Sequence, residues 1–238
     1  MSSSRRPTRS SKGGRRTTEA PARTPRADRE TRSPGRPPGG SGDRTRELII
    51  GRSIETFAAL GFAGTSVRDI ARKARLRVSS LYHYFPSKEA LYHAVQERIQ
   101  QELRELTLSV MSRGLDLREM AREAVGQLFD FYLTRPAYVQ LGYRMHLEGG
   151  GTGEGYRRVV DRWLGLMEGL MKPAEIQGVM KPLDPALFLV TVDGLVHWHL
   201  VSNAFYRGFV GTGLDDPDTA ARVREHLIQM VLRTAGLD

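Results

Sequence analysis

The sequence predicts an all-α protein of about nine helices, and two observations carry this prediction. Apolar residues recur at intervals of three and four residues through most of the chain after residue 43, as they do along one face of an amphipathic helix. Capping side chains, glycines and prolines divide this pattern into segments of helical length. We find no stretch with the apolar–polar alternation of a half-buried strand and no internal repeat.

The composition is that of a soluble globular protein. Hydrophobic residues make up 39% of the 238 residues. No apolar run approaches the roughly eighteen residues that span a bilayer. Cysteine is absent, which excludes a disulfide framework, a thiolate nucleophile and a cysteine metal site. The basic N-terminus has no apolar stretch, so we expect no secretory signal, no membrane partner and a cytoplasmic location.

The net charge of +9 is unevenly distributed. Residues 1–43 hold 11 Lys/Arg and 4 Asp/Glu, and residues 44–93 hold 9 and 4. Residues 94–238 hold 16 Lys/Arg and 19 Asp/Glu, so this part of the chain is mildly acidic. The asymmetry predicts a polyanionic partner for the first ninety-odd residues and a different role for the rest.

Residues 1–42 consist mostly of Arg, Ser, Thr, Pro and Gly. Such a segment buries too little apolar surface to offset the entropy of ordering it, so we expect a disordered tail. The "GRP" at residues 35–37 is similar to the core of a minor-groove hook, but Pro34 stands where an arginine usually precedes it. Non-specific attraction to phosphates is therefore the favoured interpretation of the tail.

The caps set the order of the predicted helices. The first helix begins near residue 43 and ends at Gly61, a suitable C-cap. The second opens with a capping box of Ser66 and Asp69, Ser87 can cap the fourth, and Asp116 with Glu119 repeats the capping box for the fifth. Further helices are predicted over residues 79–85, 88–112, 116–135, 136–148, 156–171 and 185–207, and a last one from the end of "DDPD" (215–218) to about residue 234. Breaks are expected at Pro86, Pro173 and Pro182, and a flexible loop at residues 149–155.

The segment at residues 185–207 is apolar on every face rather than along one stripe. A helix that is apolar all round is buried all round, so one face would meet the chain's own core and the other a second copy. With the last helix it would form a four-helix bundle between two subunits; a well-buried core helix is the alternative. The expected interface residues of this homodimer are Val190, Gly194, His197, Val201, Leu227, Met230 and Val231.

Two short predicted helices joined by a tight turn lie in the basic part of the chain, in "TSVRDIARKARLRVSSLYHYFPSKEAL" (residues 65–91). Such a pair is typical of a helix-turn-helix. The block "IARKARLRVSSLYHYFPSKEAL" resembles the DNA-binding domain of the tetracycline-repressor (TetR) family of transcriptional regulators, and its ending, from "LYHYF" through "SKE", is the specific part. The resemblance covers residues 48–91; the rest is similar only in helix count and length.

This resemblance implies an N-terminal three-helix DNA-binding domain whose third helix lies in the major groove. Arg68, near the start of the second helix, can bond a guanine edge with two donors. By the family pattern, the base-facing positions are Arg68, Val78, Ser79 and Ser80, and the phosphate contacts are Tyr82, Tyr84 and Lys88. For His83, DNA contact and ordinary packing stay equally open.

The turn between the two helices departs from the family pattern. It reads "ARLR" (residues 74–77) where Ala-Gly-Val-Ser is usual. Arg75 must either adopt a positive φ, at a cost of about 1 kcal/mol, or sit in a different turn. Arg77 replaces the usual N-cap serine, so Ser79 is expected to cap a shortened third helix instead. Phosphate contacts from Arg75 and Arg77 would offset these costs when DNA is bound.

In the family that this chain resembles, the helices after the DNA-binding domain hold a small-molecule effector. Large apolar residues on the predicted fifth to seventh helices suit a hydrophobic or amphipathic effector. The candidate lining residues are Phe129, Tyr132, Tyr143, His146, Trp163 and Met167. Ordinary core packing is the alternative for each of them.

We expect no catalytic site, no cofactor and no metal. The carboxylates lie mostly at capping or exposed positions, and a metalloprotease "HExxH" is absent. His197 and His199 are two residues apart on a helix, about 200° around its axis, and therefore cannot share one ion.

The sequence therefore predicts a tail over residues 1–42, a helix-turn-helix DNA-binding domain over 43–90, and a ligand-binding and dimerisation domain over 91–238. The implied function is a homodimeric repressor that leaves its double-stranded DNA operator when an effector binds; activation rather than repression stays open, since the sequence shows no surface marked for polymerase. The alternative is a nucleic-acid-binding protein without sequence preference, driven by the basic tail. Deleting residues 1–42 would then abolish binding rather than weaken it.

Overall fold

The computed structural model describes residues 40–147 and 154–238. These residues form ten α-helices and no strand, which confirms the all-α prediction. Most of the expected tail and most of the expected glycine-rich loop lie outside the described residues. The helices are α1 (Gly40–Gly64), α2 (Val67–Lys73), α3 (Val78–Tyr84), α4 (Lys88–Met111), α5 (Leu117–Leu133), α6 (Pro136–Leu147), α7 (Glu154–Ile176), α8 (Pro185–Val201), α9 (Asn203–Phe209) and α10 (Pro217–Ala235).

The first three helices share one small core. Phe57 on α1, Ile70 on α2 and Leu81 on α3 are all fully buried. Near its end α1 is kinked at Gly61, which has a φ of 71° and a ψ of 174°. The hydroxyl of Thr65 donates to the carbonyl of Gly61 over 2.7 Å. The kink and this bond turn the chain toward α2, as the glycine predicts.

Predicted caps hold the ends of several helices. The hydroxyl of Ser87 accepts from the N–H of Ala90 over 3.1 Å at the start of α4. The carboxylate of Asp116 accepts from the N–H of Glu119 over 2.8 Å at the start of α5. Each bond satisfies a donor that the first turn of a helix would otherwise leave unpaired.

Helix α6 is tied to α1 by a guanidinium group. Arg144 donates through Nε to the carbonyl of Ala58 over 2.9 Å and through an Nη to that of Ala59 over 3.0 Å. These carbonyls lie in the last regular turn of α1, just before the Gly61 kink. A cation is favourable at the carboxyl end of a helix, so this contact stabilises the position of α6 against α1.

The predicted helix break at Pro173 is wrong, because α7 continues to Ile176. Proline removes one backbone donor but leaves the carbonyls free to accept bonds from the residues that follow. The N–H of Gln177 donates to the carbonyl of Pro173 over 3.1 Å. Gly178, with a φ of 70°, ends the helix instead.

The predicted single helix over residues 185–207 is two helices, which explains why ten helices occur where about nine were expected. The chain leaves helical geometry at Ser202, where ψ is 24°, and α9 is bent by 66° from α8. The side chain of Asn203 accepts from the N–H of Leu214 over 2.7 Å, which fixes the new direction. Within the described residues no single helix is long and apolar enough to cross a membrane; only the bent pair of α8 and α9 reaches that length and composition.

Helix α10 packs along α5. It begins at Pro217 with Asp216 as its N-cap, two residues earlier than the sequence predicts. The carboxylate of Asp216 accepts from the N–H of Thr219 over 2.9 Å, so it takes the capping role that fixes this start. An Arg224–Asp130 ion pair of 3.0 Å joins α10 to α5 at the surface.

Candidate nucleic-acid interface

The start of α2 is set by hydrogen bonds around Asp69. The hydroxyl of Ser66 accepts from the N–H of Asp69 over 3.1 Å and donates to its carboxylate over 2.5 Å. Arg72 donates to the same carboxylate over 2.8 Å. The hydrogen bond from Ser66, followed by the charge of Arg72, lowers the pKa of Asp69. This network uses Arg72 within the protein and leaves the neighbouring Arg68 exposed on the outer face of α2.

The turn between α2 and α3 places Arg75 in the left-handed conformation, with a φ of 56°. It is the one non-glycine residue with a positive φ among the described residues. The N–H of Arg75 donates to the carbonyl of Arg72 over 3.1 Å, and that of Leu76 to Ala71 over 2.9 Å. This pair of bonds is a Schellman motif, which usually has glycine at the position of Arg75. Of the two conformations open from the sequence, the structure therefore has the strained one.

Helix α3 is not shortened. It begins at Val78 with Arg77 at the N-cap, and no side chain caps it. The expectation that Ser79 caps this helix is therefore wrong. The carbonyl of Arg77 already accepts the first helical bond, from the N–H of Leu81 over 3.2 Å. Because Leu81 is fully buried, its packing holds the first turn of α3 in place without a serine cap.

The predicted contact residues of α3 differ in exposure. Ser79, Tyr82 and His83 are exposed, whereas Val78 and Tyr84 are half-buried and pack against the core. Ser80 is also half-buried. The amphipathic pattern of α3 thus directs polar and aromatic side chains outward while Leu81 anchors the inner face.

Lys88 has a structural role that sequence reasoning missed. Its ammonium group donates to the carbonyl of Phe62 over 2.8 Å and to that of Thr65 over 3.1 Å, and it lies 4.3 Å from the Phe62 ring centroid. An ammonium group has three N–H donors, so two of them hold α4 against the connection between α1 and α2. A phosphate contact by Lys88 stays a prediction.

The outer surface of α2 and α3 is strongly basic. Between residues 66 and 88 the sequence has six Lys/Arg and a single carboxylate, that of Asp69. Arg68, Arg75 and Arg77 are all exposed. Two short helices that present cations and hydroxyl groups on one rigid core can contact both the phosphates and the base edges of duplex DNA.

The predicted effector residues do not share one environment. Phe129 and Tyr132 on α5 are buried, and Trp163 and Met167 on α7 are half-buried. Tyr143 is exposed by 40% on α6, and the side chain of His146 lies outside the described residues. The indole N–H of Trp163 donates to the side chain of Gln100 over 3.2 Å, which joins α7 to α4. That the six predicted residues bind one effector together stays a prediction.

Tyr132 contacts a buried histidine that the sequence analysis assigned to the dimer interface. The rings of Tyr132 and His197 lie 4.6 Å apart. The Nδ1 atom of His197 lies 3.0 Å from the backbone carbonyl of Asp193 and 3.2 Å from its carboxylate. The i, i+4 spacing of Asp193 and His197 was the sequence signal for this pair. His199, two residues on, meets the hydroxyl of Tyr206 instead.

The predicted interface residues divide into two groups. His197, Leu227 and Val231 are buried among the chain's own helices. Val190, Gly194, Val201 and Met230 are exposed. Apolar residues that the prediction did not include are exposed beside them on α8 and α9, namely Leu187, Trp198, Phe205 and Phe209. The rings of Phe205 and Phe209 stack at 4.2 Å.

Comparison with known proteins finds a family match for the segment that holds α2 and α3. Residues 49–95 match the family model described as "Bacterial regulatory proteins, tetR family". The chain is 24% identical over 142 residues to the HTH-type transcriptional repressor NicS of Pseudomonas putida, which covers 58% of this chain and 67% of NicS.

The similarity in fold extends well beyond the matched segment. A TetR family transcription regulator from Marinobacter aquaeolei superposes with a TM-score of 0.68 at 24% identity, over 82% of this chain and 96% of that one. The transcriptional regulator FadR of Bacillus subtilis, solved with stearoyl-CoA, superposes with a TM-score of 0.59 at 14% identity, over 79% of this chain and 98% of FadR. The matched segment, α1 to the start of α4, is the part that carries the basic surface. Residues 49–95 thus match the tetR family of bacterial regulatory proteins, and most of the chain shares its fold with a solved regulator of that family.

Proposed function

We propose that this protein is a repressor that binds an operator as a homodimer and leaves it when a hydrophobic or amphipathic effector binds. In this proposal residues 43–90 bind DNA, and residues 91–238 bind the effector and the second subunit. The observation that carries the proposal is the exposed basic face of α2 and α3, built on a buried apolar core.

Sequence preference would come from the two helices rather than from the basic tail. Arg68 has no intramolecular ion pair among the described residues, so its guanidinium group is available for a guanine edge. Arg75 and Arg77 supply phosphate contacts on the same face. A protein bound only through its basic N-terminal residues would need neither the left-handed turn at Arg75 nor an anchored α3.

The proposed dimer surface consists of the exposed apolar residues of α8 and α9. Val190 is exposed by 69%, Trp198 by 59% and Phe209 by 78%. Large apolar side chains exposed in such number on two successive helices support an association site there. A second copy of the chain would cover it by a twofold contact and fix the distance between the two DNA-binding domains.

Support for an effector comes from the interior of the second domain and from a relative. Phe129 and Tyr132 of α5 are buried, and Trp163 of α7 donates to Gln100 on α4, the helix that follows the DNA-binding segment. FadR of Bacillus subtilis, which shares the fold, was solved with stearoyl-CoA. An effector would act by preferring the conformation that binds DNA poorly.

The DNA-binding proposal is tested by selection from a random-sequence duplex library, followed by fluorescence anisotropy on the selected duplex. Arg68→Ala should weaken binding and relax the preference at one base pair of each half-site, by about 1–3 kcal/mol. Tyr82→Phe should weaken binding without changing base preference. Recovery of no consensus, or loss of all binding when residues 1–42 are deleted, would favour the tail-driven alternative.

The dimer proposal is tested by sedimentation of the full chain. Val190→Glu places a charge on the exposed apolar face and should convert dimers to monomers, whereas Arg157→Glu on α7 should not. A wild-type chain that stays monomeric at the concentration where it selects its operator would contradict the proposal.

A further inference from the structure

Helices α5, α6 and α8 meet around two buried polar side chains. Tyr132 on α5 is exposed by 5% and His197 on α8 by 7%, and their rings are in contact. The surrounding residues on the same helices are apolar and buried, among them Phe129, Leu141 and Val196. Polar groups placed in such surroundings are costly unless they are hydrogen-bonded.

Asp193 determines which nitrogen of His197 carries a proton. The carbonyl and the carboxylate of Asp193 are both acceptors, and both lie near Nδ1. Nδ1 is therefore the protonated nitrogen of the neutral ring, and Nε2 becomes a second donor when the ring is charged.

Two polar atoms of this cluster have no hydrogen bond to any group in the described part of the protein: Nε2 of His197 and the hydroxyl of Tyr132. Every fully buried side-chain nitrogen or oxygen among the described residues does have a partner. The two atoms are therefore not sealed by protein, and each has some surface on which a polar partner could sit.

We propose that Tyr132 and His197, with Asp193 behind the imidazole, bind a carboxylate group of the effector. This inference rests on the proposed function and names the chemistry that the effector site selects. The carboxylate accepts one hydrogen bond from Nε2–H and one from the tyrosine hydroxyl, while the apolar core residues contact the rest of the molecule. Such charge-assisted bonds are the strong ones in a buried site.

The charges of the cluster fit an anion. The carboxylate side chain of Asp193 is exposed by 43%, so water screens its charge, whereas the Nε2 side of His197 faces the interior. Burial opposes protonation of His197, but the hydrogen bonds and charge of Asp193 outweigh it and raise the pKa. Burial, followed by the charge of Asp193, raises the pKa of Tyr132, which keeps its hydroxyl a neutral donor.

Gly142 on α6 keeps the approach to Nε2 open. A Cβ atom at this position would lie 3.2 Å from Nε2 of His197. The substitution Gly142→Ala would therefore cover Nε2 with a methyl group while favouring the helix, because alanine has the higher helix propensity. Gly165→Ala on α7 is the matched control, since nothing lies within 4 Å of the added atom.

The test measures binding of a panel of monocarboxylates to the full chain by calorimetry. The panel runs from butyrate to dodecanoate and from benzoate to naphthoate, and each acid is paired with its primary amide. We expect at least one carboxylate to bind more tightly than its amide. Tyr132→Phe should weaken that binding by about tenfold. Tyr138→Phe, which removes a hydroxyl that donates to Glu102 instead, should leave it unchanged.

Gly142→Ala should abolish carboxylate binding in a chain that still folds, as judged by circular dichroism, and Gly165→Ala should not. The inference is overturned if no acid binds more tightly than its amide, or if Tyr132→Phe and Gly142→Ala both retain wild-type affinity. The same preparation is also tested for selection of an operator from the duplex library. This second measurement shows whether the proposed DNA-binding function holds when carboxylate binding fails. A chain that selects DNA but prefers amides refutes only the carboxylate.

Discussion

Replacing Arg75 by glycine should stabilise the protein while weakening its hold on DNA. Arg75 occupies the left-handed position of a Schellman motif, with a φ of 56°. That conformation costs a non-glycine residue about 1–2 kcal/mol. Glycine avoids this cost but adds about 0.4–1 kcal/mol of unfolded-state entropy. The expected net gain is about 0.5–1 kcal/mol.

Two variants isolate the backbone from the charge. Arg75→Ala removes the same charge but keeps the strained φ, so it should be about 1 kcal/mol less stable than Arg75→Gly. Gly178 ends α7 in the same motif, with its N–H bonded to Glu175 and that of Val179 to Ala174. A Cβ at Gly178 meets nothing within 4 Å, so Gly178→Ala should destabilise by strain alone.

The assay is urea unfolding followed by circular dichroism at one fixed protein concentration, because a dimer's stability depends on concentration. Equal stability of Arg75→Gly and Arg75→Ala, together with a loss for Gly178→Ala, would refute the reasoning. Both Arg75 variants should also lower the slope of log affinity against log salt by about 0.9 for each lost phosphate contact, or about 1.8 for a dimer.

Three further predictions concern single contacts that hold the helices in place. Lys88→Met should lower the free energy of unfolding, measured in urea, by about 1–2 kcal/mol, because the bonds to Phe62 and Thr65 are lost. The control Lys73→Met, at an exposed position, should leave the free energy of unfolding unchanged. Arg144→Met should destabilise by about 1–2 kcal/mol in the same assay, because two carbonyls at the end of α1 lose their donor. The pKa of His197 is raised above 6.5, so its protonation stabilises the fold below that pH and ceases to do so as pH rises through the folded value. Thermal unfolding of Asp193→Asn should therefore fall furthest below wild type near pH 5.5, and an undiminished difference near pH 9 would contradict this.

Local signals in the sequence predicted the local parts of the fold. The caps at Ser66, Ser87 and Asp116 depend on bonds that span three residues, and all three occur as expected. The break at Ser202 depends on a bond from Leu214 to Asn203, eleven residues away, which no periodicity reveals. The helix break predicted at Pro173 was wrong because a proline removes one helical hydrogen bond without ending the helix.

The candidate DNA-binding site shows the same division. The exposure of Arg68 and the burial of Leu81 follow from helical periodicity and from the resemblance to the family. The two bonds of Lys88 join residues 26 and 23 positions apart, so they could not be predicted from its neighbours. His197 could be placed only at an interface or in the core, because a helix that is apolar all round does not reveal which face meets the core.

The bonds from Arg144 to α1 have a mechanical consequence. A hydrogen bond between nitrogen and oxygen is lost once the two atoms are drawn to about 3.6 Å apart. A translation of α6 along its axis must therefore drag the last turn of α1 with it or sever both bonds together. Since Gly61 follows that turn directly, and glycine backbone rotates with little steric hindrance, the segment carrying α2 and α3 would swing about this point.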